Sequence, residues 1–132
     1  MSLILIADDD ELVAALVQYK LEAAGHRVVV TEDGPAALDA ATREPPDLVL
    51  LDAMMPGLTG FEVLARLRAA PATAIVPIIM LTARRSQDDI DAARRGGATD
   101  YLTKPFVPDD LLARVESALA QSRPPALPDA AL

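Results

Sequence analysis

Cysteine is absent from the 132-residue chain, so no disulfide framework and no thiolate metal site can form. Aromatic residues make up only 3%, which argues against a base-stacking platform for single-stranded nucleic acid. Long apolar runs are missing as well. The longest, Ile75-Val-Pro-Ile-Ile-Met-Leu81, falls far short of the roughly 20 residues a spanning helix needs. No charged leader precedes an apolar segment at the start of the chain, so neither a signal peptide nor a membrane partner is expected, and the expected location is cytoplasmic. Positive charge is scarce: 12 Lys and Arg stand against 20 Asp and Glu, for a net charge of −8. A field of that sign repels nucleic acid and anionic lipid, so direct nucleic-acid binding is not expected. The sole histidine, His26, follows Gly25 ahead of a strand candidate; a surface position is expected for it, and nothing marks it as a phosphohistidine.

What is present suits one globular domain. Hydrophobic residues reach 52% and charged residues 24%, a mixture able to bury a core at this length. Short apolar runs alternate with helix-period stretches. Leu3-Ile-Leu-Ile-Ala7, Val28-Val-Val30, Leu48-Val-Leu-Leu51 and Pro77-Ile-Ile-Met-Leu81 read as strands, and Tyr101-Leu102 as a weaker fifth. They are almost wholly apolar rather than alternating, as strands covered on both faces are. Between them, Val13, Leu16, Val17 and Leu21 recur at helical spacing before Gly25. Further helices are expected over 35–43, from Phe61 onward, over 86–95 and around Leu111, Leu112, Val115, Ala118 and Leu119. The pattern is a (βα)5 α/β fold: a five-stranded parallel sheet, doubly wound, with right-handed crossovers. Residues 1–121 form the domain, and 122–132, with three prolines, read as a tail or the start of a linker.

In such folds ligands bind beyond the carboxyl ends of the strands. The first strand ends in Asp8-Asp9-Asp10-Glu11, the third in Asp52, the fourth in Thr82 and the fifth in Lys104-Pro105. Each alone is unremarkable: an acidic run often caps a helix, and a lone aspartate often makes a turn. Their joint placement at separate strand ends is the signal. Clustered carboxylates repel one another. Either a hard divalent cation such as Mg²⁺ or the lysine ammonium can compensate them.

These pieces carry a family resemblance. Ile4-Leu-Ile-Ala-Asp-Asp-Asp10, Asp47-Leu-Val-Leu-Leu-Asp-Ala-Met-Met-Pro-Gly57 with Gly60, Met80-Leu-Thr-Ala83, and Gly97-Ala-Thr-Asp-Tyr-Leu-Thr-Lys-Pro-Phe106 together resemble the CheY-like receiver domains of two-component response regulators. The resemblance implies a flavodoxin-like sheet of order 2-1-3-4-5. It makes Asp52 the phosphoacceptor. It puts Mg²⁺, with Mn²⁺ as an alternative ion, on Asp8, Asp9, Asp52 and the backbone carbonyl of Met54. Thr82, Lys104 and the backbone of Ala83 are to contact the phosphoryl oxygens. Asp10 receives no site role. Thr82 and Tyr101 are the expected switch pair, acting on the face of the fourth helix, fifth strand and fifth helix. Lys104–Pro105 is expected to be cis. Met54 and Arg84 flank the site and are expected to slow hydrolysis of the acyl phosphate.

The implied partners are a sensor histidine kinase or a histidine phosphotransfer protein, docking around residues 12–19 and 106–108, and a downstream output domain or target protein. The chain is not expected to be an enzyme beyond its own phosphorylation and dephosphorylation. No output domain is visible after residue 123, so either a stand-alone receiver or the start of a linker to one is expected, and no upstream domain is expected before Leu3. Dimerising relatives commonly carry an acid doublet entering the fifth strand and bases along the fifth helix. Asp110 and Arg114 fit that pattern, but Thr99, Glu116 and Gln121 do not. Two alternatives compete. A haloacid dehalogenase-like phosphatase needs a second aspartate where Met54 stands, and Met54 cannot donate a proton. A pseudo-receiver that only binds proteins usually lacks one of the acids or the lysine, and all are present.

Overall fold

The computed structural model describes residues 2–83 and 86–122. Its elements are β1 (Leu3–Ala7), α1 (Glu11–Ala23), β2 (Arg27–Thr31), α2 (Gly34–Arg43), β3 (Leu48–Asp52), α3 (Gly60–Ala69), β4 (Ile78–Thr82), α4 (Gln87–Arg95), β5 (Asp100–Thr103) and α5 (Pro108–Ser122). The strands form one parallel sheet of order β2-β1-β3-β4-β5. The strand order reverses at β1, so the ends of β1 and β3 lie side by side at the switch point.

Alternate residues of each strand point to opposite faces, and two cores result. Ile4, Ile6, Leu48, Leu50, Ile79 and Leu81 pack beneath α1 and α5 through Val17, Leu21, Leu111 and Val115. Leu5, Ala7, Val49, Leu51, Ile78 and Met80 pack beneath α2, α3 and α4 through Ala37, Ala41, Val63, Leu64, Leu67 and Ala93. Burial on both faces is why the strands carry no polar alternation.

The helix starts are capped by side chains. Asp10 accepts from the amides of Leu12 and Val13, Asp33 from Ala36, and Ser86 from Asp89. Thr59 and Glu62 make a reciprocal capping box at α3. Each cap follows a strand, so the helix N-termini stand on the same edge as the strand carboxyl ends. Gly25 and Gly97 turn the chain after α1 and α4 with positive φ.

β2 and β5 are longer than their apolar runs. Arg27 and Thr31 extend β2, and Asp100 and Thr103 extend β5, because their backbones pair with β1 and β4 whatever their side chains. From residue 123 on, the Pro-rich tail lies outside the described residues, as does Arg84.

Candidate functional site

The apolar pull of β1 ends at Ala7, and the next residue is an acid. Asp8 is fully buried. Its amide donates to the Thr31 carbonyl at 3.0 Å, which holds it at the β1–β2 edge. Its Oδ1 accepts from the Asp10 amide at 2.9 Å, and its Oδ2 from Lys104 Nζ at 2.8 Å. Asp9 is exposed beside it. Asp10 turns away to cap α1.

Asp52 is the last residue of β3 and is buried. Its register partner on β4 is Leu81. Behind it, Ala53 donates to Leu81 and Gly60 donates to the Ala53 carbonyl at 2.8 Å, so α3 is tied to the strand end. The Met54 amide points at Asp52 Oδ1 over a long 3.5 Å. Thr82 is buried at the end of β4, in register with Thr103, and Ala83 follows it into solvent. The Lys104 amide donates to the Thr82 carbonyl at 2.8 Å. The Lys104–Pro105 peptide is cis.

One oxygen each of Asp8, Asp9 and Asp52 lies within 4.8 Å of the others. Against these three carboxylates stands one ammonium, with Lys104 Nζ 3.7 Å from Asp52 Oδ1. The Asp52 carboxyl is pushed up to about 6. Burial is the main cause; Lys104 counters it, and the Asp8 charge adds to it. At this strand end burial outweighs the help that Lys104 gives the charged form.

The donor set is all oxygen, and Asp9 opens it to solvent. That fits a hard divalent cation that keeps part of its water, as Mg²⁺ does. Asp8, Asp9 and Asp52 can hold it, with backbone oxygens of the β3–α3 loop nearby in sequence. No thiolate or imidazole competes for a softer metal among the described residues of this cluster.

The structure therefore brings Asp8, Asp9, Asp52 and Lys104 together and sets Thr82, Ala83 and Met54 on the strand ends and loop around them. Tyr101 is not in the cluster. It lies on β5, half-buried against the α2–α3–α4 core, opposite Met80 in register. Beside it, between α4 and β5, is a cavity of about 280 Å³ whose lining includes Ile90, Arg94, Asp100 and Tyr101.

His26 differs from the surface position expected of it. Its side chain is only 10% exposed, with Nε2 3.7 Å from Glu116 Oε2 on α5. The turn at Gly25 folds the ring inward against that helix. On the opposite side of α5, Arg114 bridges Asp100 at 3.0 Å and Asp110 at 3.2 Å. Arg68 also escaped notice in the sequence, because its partners are backbone carbonyls: Gly97, Thr73, Ala74 and Val76.

Comparison with known proteins places this geometry. A family model described as the response regulator receiver domain matches residues 4–116. The alkaline phosphatase synthesis transcriptional regulatory protein PhoP of Bacillus subtilis is 44% identical over 119 residues, covering 90% of this chain and 49% of that protein. The response regulator PleD of Caulobacter vibrioides is 42% identical over 114 residues, 86% of this chain and 25% of PleD. This chain thus spans about half the length, or less, of these curated relatives. Among solved structures, a putative response regulator from Chloroflexus aurantiacus is 38% identical with a TM-score of 0.86, covering 90% of this chain and 98% of that one. The Vibrio cholerae chemotaxis protein CheY4 is 33% identical with a TM-score of 0.85, covering 89% of this chain and 98% of its own. With the fold, the acidic cluster and the matched residues in agreement, the chain belongs to the response regulator receiver domains of two-component signalling systems.

Proposed function

We propose that Asp52 accepts a phosphoryl group from the phosphohistidine of a sensor kinase or a histidine phosphotransfer protein. The observation that carries this reading is the cluster itself: three carboxylates within 4.8 Å, one of them a buried strand-end aspartate, with one lysine facing two of them.

An Asp52 oxygen attacks phosphorus, a P–O bond forms, the P–N bond to the donor histidine breaks, and the leaving imidazole keeps the electron pair and takes up a proton. Such a transfer needs positioning and charge stabilisation more than covalent machinery. Asp8, Asp9, Asp52 and the Met54 carbonyl would hold Mg²⁺, or Mn²⁺, which would supply charge neutralisation for the phosphoryl oxygens. Lys104 turns from Asp8 toward the incoming charge. The Thr82 hydroxyl and the Ala83 amide donate to the remaining oxygens. The chain acts on its own aspartate and turns over no separate substrate.

The product carries added charge and new acceptors at the end of β4. Thr82 moves toward them, and Tyr101 turns inward from the α4–β5 cavity, so the phosphoryl group favours one of two states of the α4-β5-α5 face. The kinase or phosphotransfer protein docks on α1, where Leu12 is 83% exposed and Leu16 and Tyr19 continue the same stripe, and on the loop over 106–108, where Val107 is exposed. The signal passes to an output domain or a separate target. Residues 1–121 are the receiver unit, and 122–132 lead out of it.

Asp8, Asp9, Asp52, Thr82 and Lys104 are all present at the strand ends, which leaves the pseudo-receiver and phosphatase readings without a supporting observation. The test is intact mass after incubation with acetyl phosphate and Mg²⁺. A gain of one phosphoryl group is expected, absent with EDTA and in Asp52→Asn. No gain by wild-type protein that binds Mg²⁺ overturns the proposal.

A further inference from the structure

Four strand ends lend side chains to the site, while β2 lends none. The chain leaving β2 does something else there. Asp33 caps α2 by accepting from the Ala36 amide at 2.7 Å, and the first turn of α2 then runs against the β3–α3 loop. Gly34 is buried in that turn. A Cβ on Gly34 would lie 2.6 Å from Leu58 Cβ, 3.1 Å from the Leu58 carbonyl oxygen and 3.1 Å from Val63 Cγ2. Next to it, a Cβ on Gly57 would come within 3.2 Å of the Pro35 ring. The pair Gly34-Pro35 thus touches the pair Gly57-Leu58 through backbone and ring atoms that have no rotamer to yield.

The loop over residues 53–59 is fixed at its other end too, where Gly60 donates to Ala53. Between these anchors it carries Met54, whose amide faces Asp52 and whose carbonyl is the metal ligand of the proposed function. We infer that Gly34 is a positioning residue for that metal site: the missing Cβ lets α2 serve as the shelf that sets the height of the 53–59 loop. This rests on the proposed Mg²⁺-dependent reading. Helix propensity alone predicts the opposite of a loss, because alanine is the better helix former within α2. With a methyl at 34, Leu58 has to lift, because its Cβ and carbonyl are backbone-fixed and Val63 closes the side.

The test is made on the metal-free protein and on its Mg²⁺ complex, with wild type, Gly34→Ala, Leu58→Gly and the double variant. Amide NMR shifts of residues 53–60 report the loop without metal, and calorimetric titration with MgCl₂ reports affinity. Gly34→Ala is expected to shift the Met54 and Leu58 amides and to weaken Mg²⁺ binding on the order of tenfold, as loss of a ligand's supporting shell does. Removing the Leu58 Cβ relieves the closest contact, so the double variant is expected to bind no worse than either single variant, because the effects of touching residues do not add. Wild-type loop shifts and affinity in Gly34→Ala overturn the inference, and so do two losses that simply add. If Gly34→Ala fails to fold, the double variant decides: recovery of the fold with the affinity of Leu58→Gly supports the inference, and failure to recover overturns it. Wild type that binds no Mg²⁺ overturns the proposed function instead.

Discussion

Lys104 Nζ sits 2.8 Å from Asp8 Oδ2 but 3.7 Å from Asp52 Oδ1. The ammonium is hydrogen-bonded to the fully buried aspartate and stands only at ion-pair distance from the one at the end of β3. Breaking a buried pair by removing one partner costs about 3–5 kcal/mol. Lysine and a divalent cation are therefore rivals for the same carboxylate.

That rivalry predicts opposite effects of one substitution. Lys104→Met is expected to destabilise the metal-free protein by about 3 kcal/mol, the low end for a buried pair because Lys104 keeps some exposure. It is also expected to bind Mg²⁺ more tightly than wild type and to phosphorylate more slowly. Urea unfolding with and without MgCl₂ checks the first two effects, and intact mass against time checks the third. Weaker Mg²⁺ binding contradicts the rivalry.

Asp52 sets a pH dependence with a definite sign. Its carboxyl titrates near 6 in the folded metal-free protein against 3.8 in the unfolded chain. The native state therefore binds more protons than the unfolded state between those values, and stability falls as pH rises through them. The difference corresponds to about 3 kcal/mol, present below pH 4 and lost above pH 6. Other acids add slopes of their own, so the comparison is between wild type and Asp52→Asn. The variant is expected to gain stability over wild type from pH 5 to pH 7 in EDTA, and Mg²⁺ is expected to close most of that gap by binding wild type. A gap that does not grow with pH contradicts the account.

Met54 stands half-exposed at the mouth of the site. A bulky apolar side chain there is expected to obstruct the water that would hydrolyse the proposed acyl phosphate. The wild-type phosphoryl group is expected to last well beyond seconds, and Met54→Ala is expected to shorten its lifetime. Decay of the phosphorylated mass after donor removal reads both, and a wild-type half-life of seconds contradicts the prediction.

Arg68 stitches the α3–β4 loop to the α4–β5 turn through four carbonyls, the shortest at 2.6 Å to Val76. Arg68→Ala leaves these acceptors without their donor, at about 1–3 kcal/mol for each group left buried and unsatisfied. A total loss of roughly 2–4 kcal/mol is expected, since water reaches some of them. Denaturant unfolding measures it.

Much of this molecule was legible because apolar strands and strand-end acids are sequence-local features. Leu3–Ala7 reads as a strand from its composition alone, and the carboxylates of Asp8 and Asp52 meet because the fold puts both strand ends on one edge. What was not legible depends on contacts without a side-chain signature. Arg68 looks like any helix arginine until its carbonyl partners are in place. Gly34 looks like a turn residue until Leu58 closes over it. His26 reads as exposed because polarity says nothing of the α5 surface that covers it. Asp10 belongs to a run of four acids, Asp8 to Glu11, and only the start of α1 separates the cap from the two that face Asp52.

The phosphoryl group is expected to reside on Asp52. The most direct measurement is to trap the acyl phosphate by borohydride reduction after treatment with acetyl phosphate and Mg²⁺, then map the reduced residue by peptide mass. The account predicts one reduced position, Asp52, with Asp8, Asp9 and Asp10 unchanged and no product in EDTA. Reduction at another aspartate, or none in protein that has gained the phosphoryl mass, would contradict it.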